Sequence, residues 1–377
     1  MEEYLAWIRR HRVPLLTLLL VVVPALIIAV AIVRVGGTES VETITAHWTI
    51  SGHADFTSGS FTRWDDDDPP LVPVGCATCH SMHGMLDFVG ERGTEAGSVS
   101  TDMPVGSVVS CAACHNNAVH QIRAVAFPSS VVVEVRGTEA SCLICHQGRA
   151  SGHSVHDAIR DLDDDVVYDE LGFIDVHRLV AAATMMGTTA RGGYEYPGAV
   201  YEGRLEHTPD FQTCTDCHDP HHLRVEPREC SACHVKVTGY DDLRDIRDDR
   251  TDYDYDGDTR KGMALEIDTF HQALYDAIRD YAAEVMRAPI VYSPERFPHF
   301  FNDLRGDGEV DSDDLSFGNR YTTWTPRLVR VAYNYHFVQR DPGAYAHNPR
   351  YTLQLLYDSL SDINQVVPVH MARFSRP

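Results

Sequence analysis

CTDCHDPHHLRVEPRECSACH, residues Cys214 to His234, carries the pattern Cys-x-x-Cys-His twice within 21 positions. The same pattern recurs upstream as CATCH at Cys76 to His80, CAACH at Cys111 to His115 and CLICH at Cys142 to His146. The ten cysteines of the chain are Cys76, Cys79, Cys111, Cys114, Cys142, Cys145, Cys214, Cys217, Cys230 and Cys233, and every one falls in a motif. One match is a modest signal. Five matches that use up all the cysteines are specific, and the pattern is that of covalent haem c attachment.

The chemistry needs these residues at this spacing. Two cysteines about one helical turn apart can each form a thioether to one haem vinyl group, clamping the porphyrin edge to the backbone. The histidine that follows is carried under the ring, so His80, His115, His146, His218 and His234 are expected as proximal iron ligands. Three other chemistries compete. Disulfides place no demand on the next residue, zinc sites built from CxxC pairs leave the fifth motif unmatched, and a thioredoxin-like CxxC occurs once beside a strand and a helix.

The rest of the composition sets the compartment and the partners. With 55 acidic against 32 basic residues the formal charge is −23, which excludes nucleic acid as a partner and favours a basic docking surface. Val13 to Val33 (VPLLTLLLVVVPALIIAVAIV) is an uncharged apolar run long enough to span a bilayer, preceded by Arg9, Arg10 and Arg12. The expectation is a cytoplasmic N-terminus at 1–12, a transmembrane anchor at 13–35 and an exported remainder, a cleaved signal peptide being the competing reading.

Successive first cysteines are 35, 31, 72 and 16 residues apart, so there is no fixed repeat, and the short last step puts the fourth and fifth haems close together. Sequence around the motifs is rich in Gly, Pro, Ser and Asp with little periodicity, which predicts loops and short helices wrapped on porphyrin over 36–240. In the 72-residue gap, Asp175 to Met186 (DVHRLVAAATMM) has the alanine content and apolar spacing of a helix that would project His177. Beyond residue 240, Met263 to Met286, Leu328 to Val338 and Tyr351 to Ile363 carry apolar positions at helical spacing. The fold class expected is mainly α with extensive irregular loops: a multihaem cytochrome c fold on five haems, an N-terminal transmembrane helix and an α-helical C-terminal subdomain at 241–377.

Two acidic loops are candidate calcium sites. In DYDYDGD, Asp252, Asp254, Asp256 and Asp258 alternate with Gly257 among them, as at the start of an EF-hand loop, but the twelfth position is Met263, with Glu266 a candidate substitute for the missing glutamate. In DLRGDGEVDSDD, Asp303, Asp307, Asp311 and Asp314 fall at ligand positions while Arg305 stands where an oxygen ligand belongs. A solvated acidic turn is the alternative at both.

Across roughly residues 47 to 350 the chain resembles the multihaem c-type cytochromes, and the phrases SGHADF, CHQGRAS, GFIDVH, CHDPH and DPGAYAHNP are similar to those of bacterial membrane-associated polyhaem cytochromes. The resemblance implies histidine on both faces of each iron, hence five further ligands among the 16 histidines outside the motifs. His53, His177, His207, His221 and His347 sit in the phrases that carry it, with His222 competing with His221. His83, His120, His153 and His156 stand close after motifs as further alternatives. Six-coordinate irons would leave no open site, so electron transfer without substrate chemistry is expected, between redox protein partners that include a membrane quinol-oxidising complex. Two alternatives stay open. A multihaem reductase needs one open iron, and the lysine that marks that haem in pentahaem nitrite reductases is absent here. A membrane quinol dehydrogenase would tie a haem close to the anchor, whereas about 40 residues separate the anchor from Cys76.

Overall fold

The computed structural model of the chain describes residues 1–2, 39–247 and 249–377. The apolar run expected to be an anchor, and with it the N-terminal transmembrane helix, lies outside the described residues. Among those described, no helix is long and apolar enough to cross a membrane.

Local chemistry sets the helix starts. The Thr325 hydroxyl accepts from Leu328 N at 3.2 Å and Pro326 takes the first turn of the helix Pro326–Gln339. Asn348 and Pro349 do the same for Pro349–Ile363, with Asn348 Oδ1 accepting from Tyr351 N at 3.2 Å. In both, a side-chain oxygen satisfies an orphan amide while proline occupies a position whose N–H has no partner. A third long helix, Met263–Asp280, continues into a π-helical turn at Tyr281–Val285. These three pack on one another around Phe270, Tyr281, Trp324, Tyr333, Phe337 and Tyr351, each fully buried. At about 1.5–3 kcal/mol per large apolar side chain, burial of this aromatic centre stabilises the helical half. The same apolar core runs on through Val155 and Leu143 to Met85 and takes in Ala113, Leu143 and Ile144 of the second and third motifs, while Ala77 of the first motif packs in a small separate cluster with Val72 and Met103.

An irregular segment at 190–201 locks onto the helices. Asn334 accepts from Tyr194 N (2.7 Å) and donates to Tyr194 O (2.9 Å), and Tyr333 donates to Gly192 O (2.8 Å). Gly193 must be glycine, because a Cβ there would stand 2.3 Å from Leu355 Cδ1. Buried charge closes the assembly. Arg330 donates to Asp362 (2.6 and 2.8 Å) and to Asp164 (2.9 Å), while Arg327 reaches Asp165 (2.7 Å) and also pairs with Asp362.

The remainder of the described residues forms short helices, turns and three two-stranded antiparallel ribbons: Leu71–Val72 with Met103–Pro104, Ala124–Ala126 with Val132–Glu134, and Ile290–Tyr292 with Phe300–Asn302. The architecture is thus mainly helical with long loops and little sheet. One expected helix is shorter than its sequence suggests: only Ala181–Met186 is helical, not Asp175 to Met186. The Asp175 carboxylate accepts from the His177 amide at 2.8 Å, and His177 (φ 76°) and Leu179 (φ 58°) take left-handed conformations. That local side-chain bond competes with helical pairing, and His177 is presented from a turn.

Candidate haem sites

Each motif is built as a single turn. The amide of the motif histidine donates to the carbonyl of the first cysteine four residues back in the second to fifth motifs: His115 to Cys111 (2.8 Å), His146 to Cys142 (2.8 Å), His218 to Cys214 (2.9 Å) and His234 to Cys230 (2.8 Å). The first motif lies in the helix Val74–His80. One turn of this kind puts both sulfurs at one edge and the imidazole beside them, as thioether attachment and axial ligation both require. All ten cysteines are free of disulfides.

Each of the five motif histidines faces a second imidazole. Ring centres are 5.8 Å apart for His80 and His177, 6.3 Å for His115 and His221, 6.4 Å for His146 and His53, 6.2 Å for His218 and His347, and 6.2 Å for His234 and His207. Two imidazoles on opposite faces of one iron, with metal–nitrogen bonds of about 2 Å and ring centres about 1.2 Å further out, would stand about 6.4 Å apart. The residues present therefore fit iron held between two histidines at every motif. The rings are close neighbours, yet too far apart to be in direct contact.

The other histidines arrange themselves differently. His222 meets His47 edge-on at 5.2 Å, closer than two histidines on opposite faces of one iron would stand. His153 and His156 are 6.4 Å apart, but both stand on the short helix Gly152–Ile159, and His153 pairs with Asp157 at 3.2 Å. His271 stacks on Tyr335 at 4.1 Å and bonds its carbonyl. His120 lines a cavity of about 560 Å³ beside His115, together with Leu86, Glu91 and Asn116.

Aspartates position three of the five facing histidines, and sequence reading missed them. In DVH and DPH the carboxylate of Asp175 or Asp219 accepts from the histidine amide two residues on, at 2.8 Å in each case. Asp341 goes further, with both oxygens 2.8 Å from His347 Nδ1. The available signal was an aspartate shortly before each of these histidines, the pattern of an Asx-turn. Among the motif histidines, His80 Nδ1 is 2.6 Å from Ser60 O.

Burial favours the neutral form, which can offer a lone pair, at five of these rings. Burial pushes His53 down to about 4, with His146 adding to it, and burial also lowers His80, His146, His207 and His218. His347 goes the other way: burial alone would lower it, but the Asp341 carboxylate outweighs that and raises it.

Contacts between motifs do not follow chain order. Ser141, next to the third motif, donates to Ala113 O in the second at 3.1 Å. The Cys145 sulfur contacts Cys79 of the first motif, and Cys142 contacts Cys214 of the fourth.

The acidic loops are partly filled by the protein's own donors, while Asp252 Oδ1 and Asp254 Oδ1 are buried without a hydrogen-bond partner. Oxygens of Asp252, Asp254 and Glu266 lie within 4.8 Å of one another, but the Lys261 ammonium pairs with Asp254 and, at 2.6 Å, with Asp256. Asp258 accepts from Arg260 N at 2.9 Å. In the second loop Asp303 accepts from Gly306 and Gly308 N (both 2.7 Å), Asp307 from Glu309 N (2.9 Å) and Asp314 from Asp311 N (2.9 Å), while Asp311 pairs with Arg305 at 2.6 Å. A third cluster, Asp175 with His299 and His336, is filled by Arg340, which contacts both histidines at 3.0–3.2 Å.

No protein-family model matches the sequence, and no solved structure does. Curated relatives do match. C-type polyheme cytochrome OmcB of Geobacter sulfurreducens is 24% identical over 350 residues, covering 76% of this chain and 44% of the relative, in both strain DL-1 / KN400 and strain ATCC 51573 / DSM 12127 / PCA. C-type polyheme cytochrome OmcC of the latter strain is 24% identical over 368 residues, covering 83% of this chain and 45% of the relative. The chain thus spans less than half the length of these relatives. Five Cys-x-x-Cys-His motifs, a histidine facing each, and similarity along most of its length place the chain with the multihaem c-type cytochromes.

Proposed function

We propose that the chain carries five covalently attached haem c groups and passes electrons between redox proteins without substrate chemistry of its own. The observation that carries this reading is the set of five histidine pairs at 5.8–6.4 Å, one for each motif. Haem, when bound, supplies the one-electron iron couple. The remaining roles fall to the chain. Cys76 and Cys79, Cys111 and Cys114, Cys142 and Cys145, Cys214 and Cys217, and Cys230 and Cys233 fix the porphyrin edges. His80 with His177, His115 with His221, His146 with His53, His218 with His347 and His234 with His207 close both faces of the irons. A site closed on both faces admits no substrate to the metal, which favours a carrier over a reductase.

The contacts between motifs support a branched route. The third motif touches the first, second and fourth, so we place its haem at the junction of the network, with the fifth reached through the fourth. The formal charge of −23 suits a basic redox partner. With the N-terminal apolar run as anchor, the haem region lies outside the cytoplasm, taking electrons from a membrane quinol-linked complex and delivering them to an extracytoplasmic acceptor. Electron paramagnetic resonance of the oxidised holoprotein tests the reading. Signals from low-spin iron alone are expected, and a stoichiometric high-spin component would move the assignment to a reductase.

A further inference from the structure

The fourth pair differs from the others at its outer nitrogen. His347 Nδ1 lies 2.8 Å from Asp341 Oδ1 and 2.8 Å from Oδ2. Asp341 is 3% exposed, its Oδ1 also accepts from Gly343 N at 3.1 Å, and its ionic partner is His347. With Nδ1 committed to the carboxylate, Nε2 is the nitrogen left to face His218. The backbone makes room for this: a Cβ on Gly343 would stand 2.6 Å from His347 Cε1 and 3.0 Å from Nδ1. The corresponding carboxylates of the first and second pairs stop short, with Asp175 at 3.9 Å from His177 Nδ1 and Asp219 at 4.0 Å from His221 Nδ1, beyond hydrogen-bond distance. The first pair's other histidine, His80, has only a neutral carbonyl on Nδ1, that of Ser60.

A carboxylate that draws the Nδ1 proton toward itself makes the imidazole a stronger donor through its other nitrogen. A stronger donor, with a buried negative charge behind it, stabilises ferric over ferrous iron. We propose that Asp341 is a positioning residue that orients His347 and makes the Cys214–His218 site the most reducing of the five. Electrons that reach this site pass readily to its neighbours at the third and fifth motifs, so it delivers charge and does not store it. The inference rests on the proposed ligation of the fourth iron by His218 and His347.

The test is an optical redox titration of the full-length holoprotein and its Asp341→Asn variant. Asparagine keeps the shape and a neutral acceptor but removes the charge. The lowest-potential component should rise about tenfold in its preference for ferrous iron, about 59 mV for a one-electron couple, while the other four stay in place. Asp341→Glu should leave the titration unchanged, and Asp341→Ser should repeat the Asn result if the Asn variant fails to mature. If either neutral variant carries five low-spin haems with the wild-type titration, the proposal is overturned. His347→Gly separates the two layers. One high-spin iron, rescued by added imidazole, upholds the ligation, whereas five low-spin irons in that variant refute the ligand reading itself and the inference with it.

Discussion

Replacing Asp362 by asparagine tests how the helical half is held together. Asp362 is the shared acceptor of Arg327 and Arg330, whose side chains are 4% and 9% exposed, and its own is 5% exposed. Asp362→Asn keeps the volume but leaves two buried guanidinium groups relying on Asp164 and Asp165, which are 46% and 38% exposed and screened by water. Breaking a buried pair by removing one partner costs about 3–5 kcal/mol, and the two remaining carboxylates hold the figure near the lower end. At about 2 °C per kcal/mol for a chain of this size, the midpoint should fall by about 6 °C. The assay is thermal unfolding of the holoprotein at pH 7 followed by far-ultraviolet circular dichroism. Asp268→Asn is the control, since its bond to Arg244 joins side chains 59% and 44% exposed and such a surface pair contributes about 0–1 kcal/mol. A drop no larger than the control's would refute the reasoning.

Other perturbations address the site and its surroundings. His221→Ala should open one face of the second-motif iron, giving one high-spin iron in five and carbon monoxide binding in the reduced state, whereas His222→Ala should leave the spectrum unchanged. Burial holds His271 down at about 4, against an ordinary value of about 6.5. Its contribution to stability is therefore present above pH 6.5 and lost as pH falls toward 4; His271→Phe should flatten the denaturant midpoint across that window, and an unaltered slope would contradict the assignment. Lys261→Met removes the cation from among Asp252, Asp254 and Glu266, so the variant should be less stable and should regain stability in millimolar calcium, as read by thermal midpoint with and without chelator.

The sequence carried the motifs completely, because thioether attachment and proximal ligation are both local and need only five consecutive residues. The long helices were legible from apolar spacing, which places the start at Met263 correctly, but the other two begin two residues earlier than spacing alone suggests. Thr325-Pro326 and Asn348-Pro349 are caps, and caps are read from turn chemistry and not from periodicity. The segment at Asp175 misled for a related reason: alanines at helical spacing argue for a helix, while one carboxylate bonding to the His177 amide starts a turn. Which histidine faces which motif could not be read, since partners such as His218 and His347 lie far apart in the chain and meet only through packing. The role of Asp341 was hidden in the same way: its buried setting comes from the fold around it, and nothing in DPGAYAH alone says that the carboxylate is shut away from water.

Thioether capture of haem at all ten cysteines is measured directly by intact-mass spectrometry of the chain matured with a cytochrome c assembly system. A single species heavier than the polypeptide by five haem groups is the predicted result. Bare polypeptide from cells that load other c-type cytochromes, or a mass short of five haems in folded protein, would contradict it.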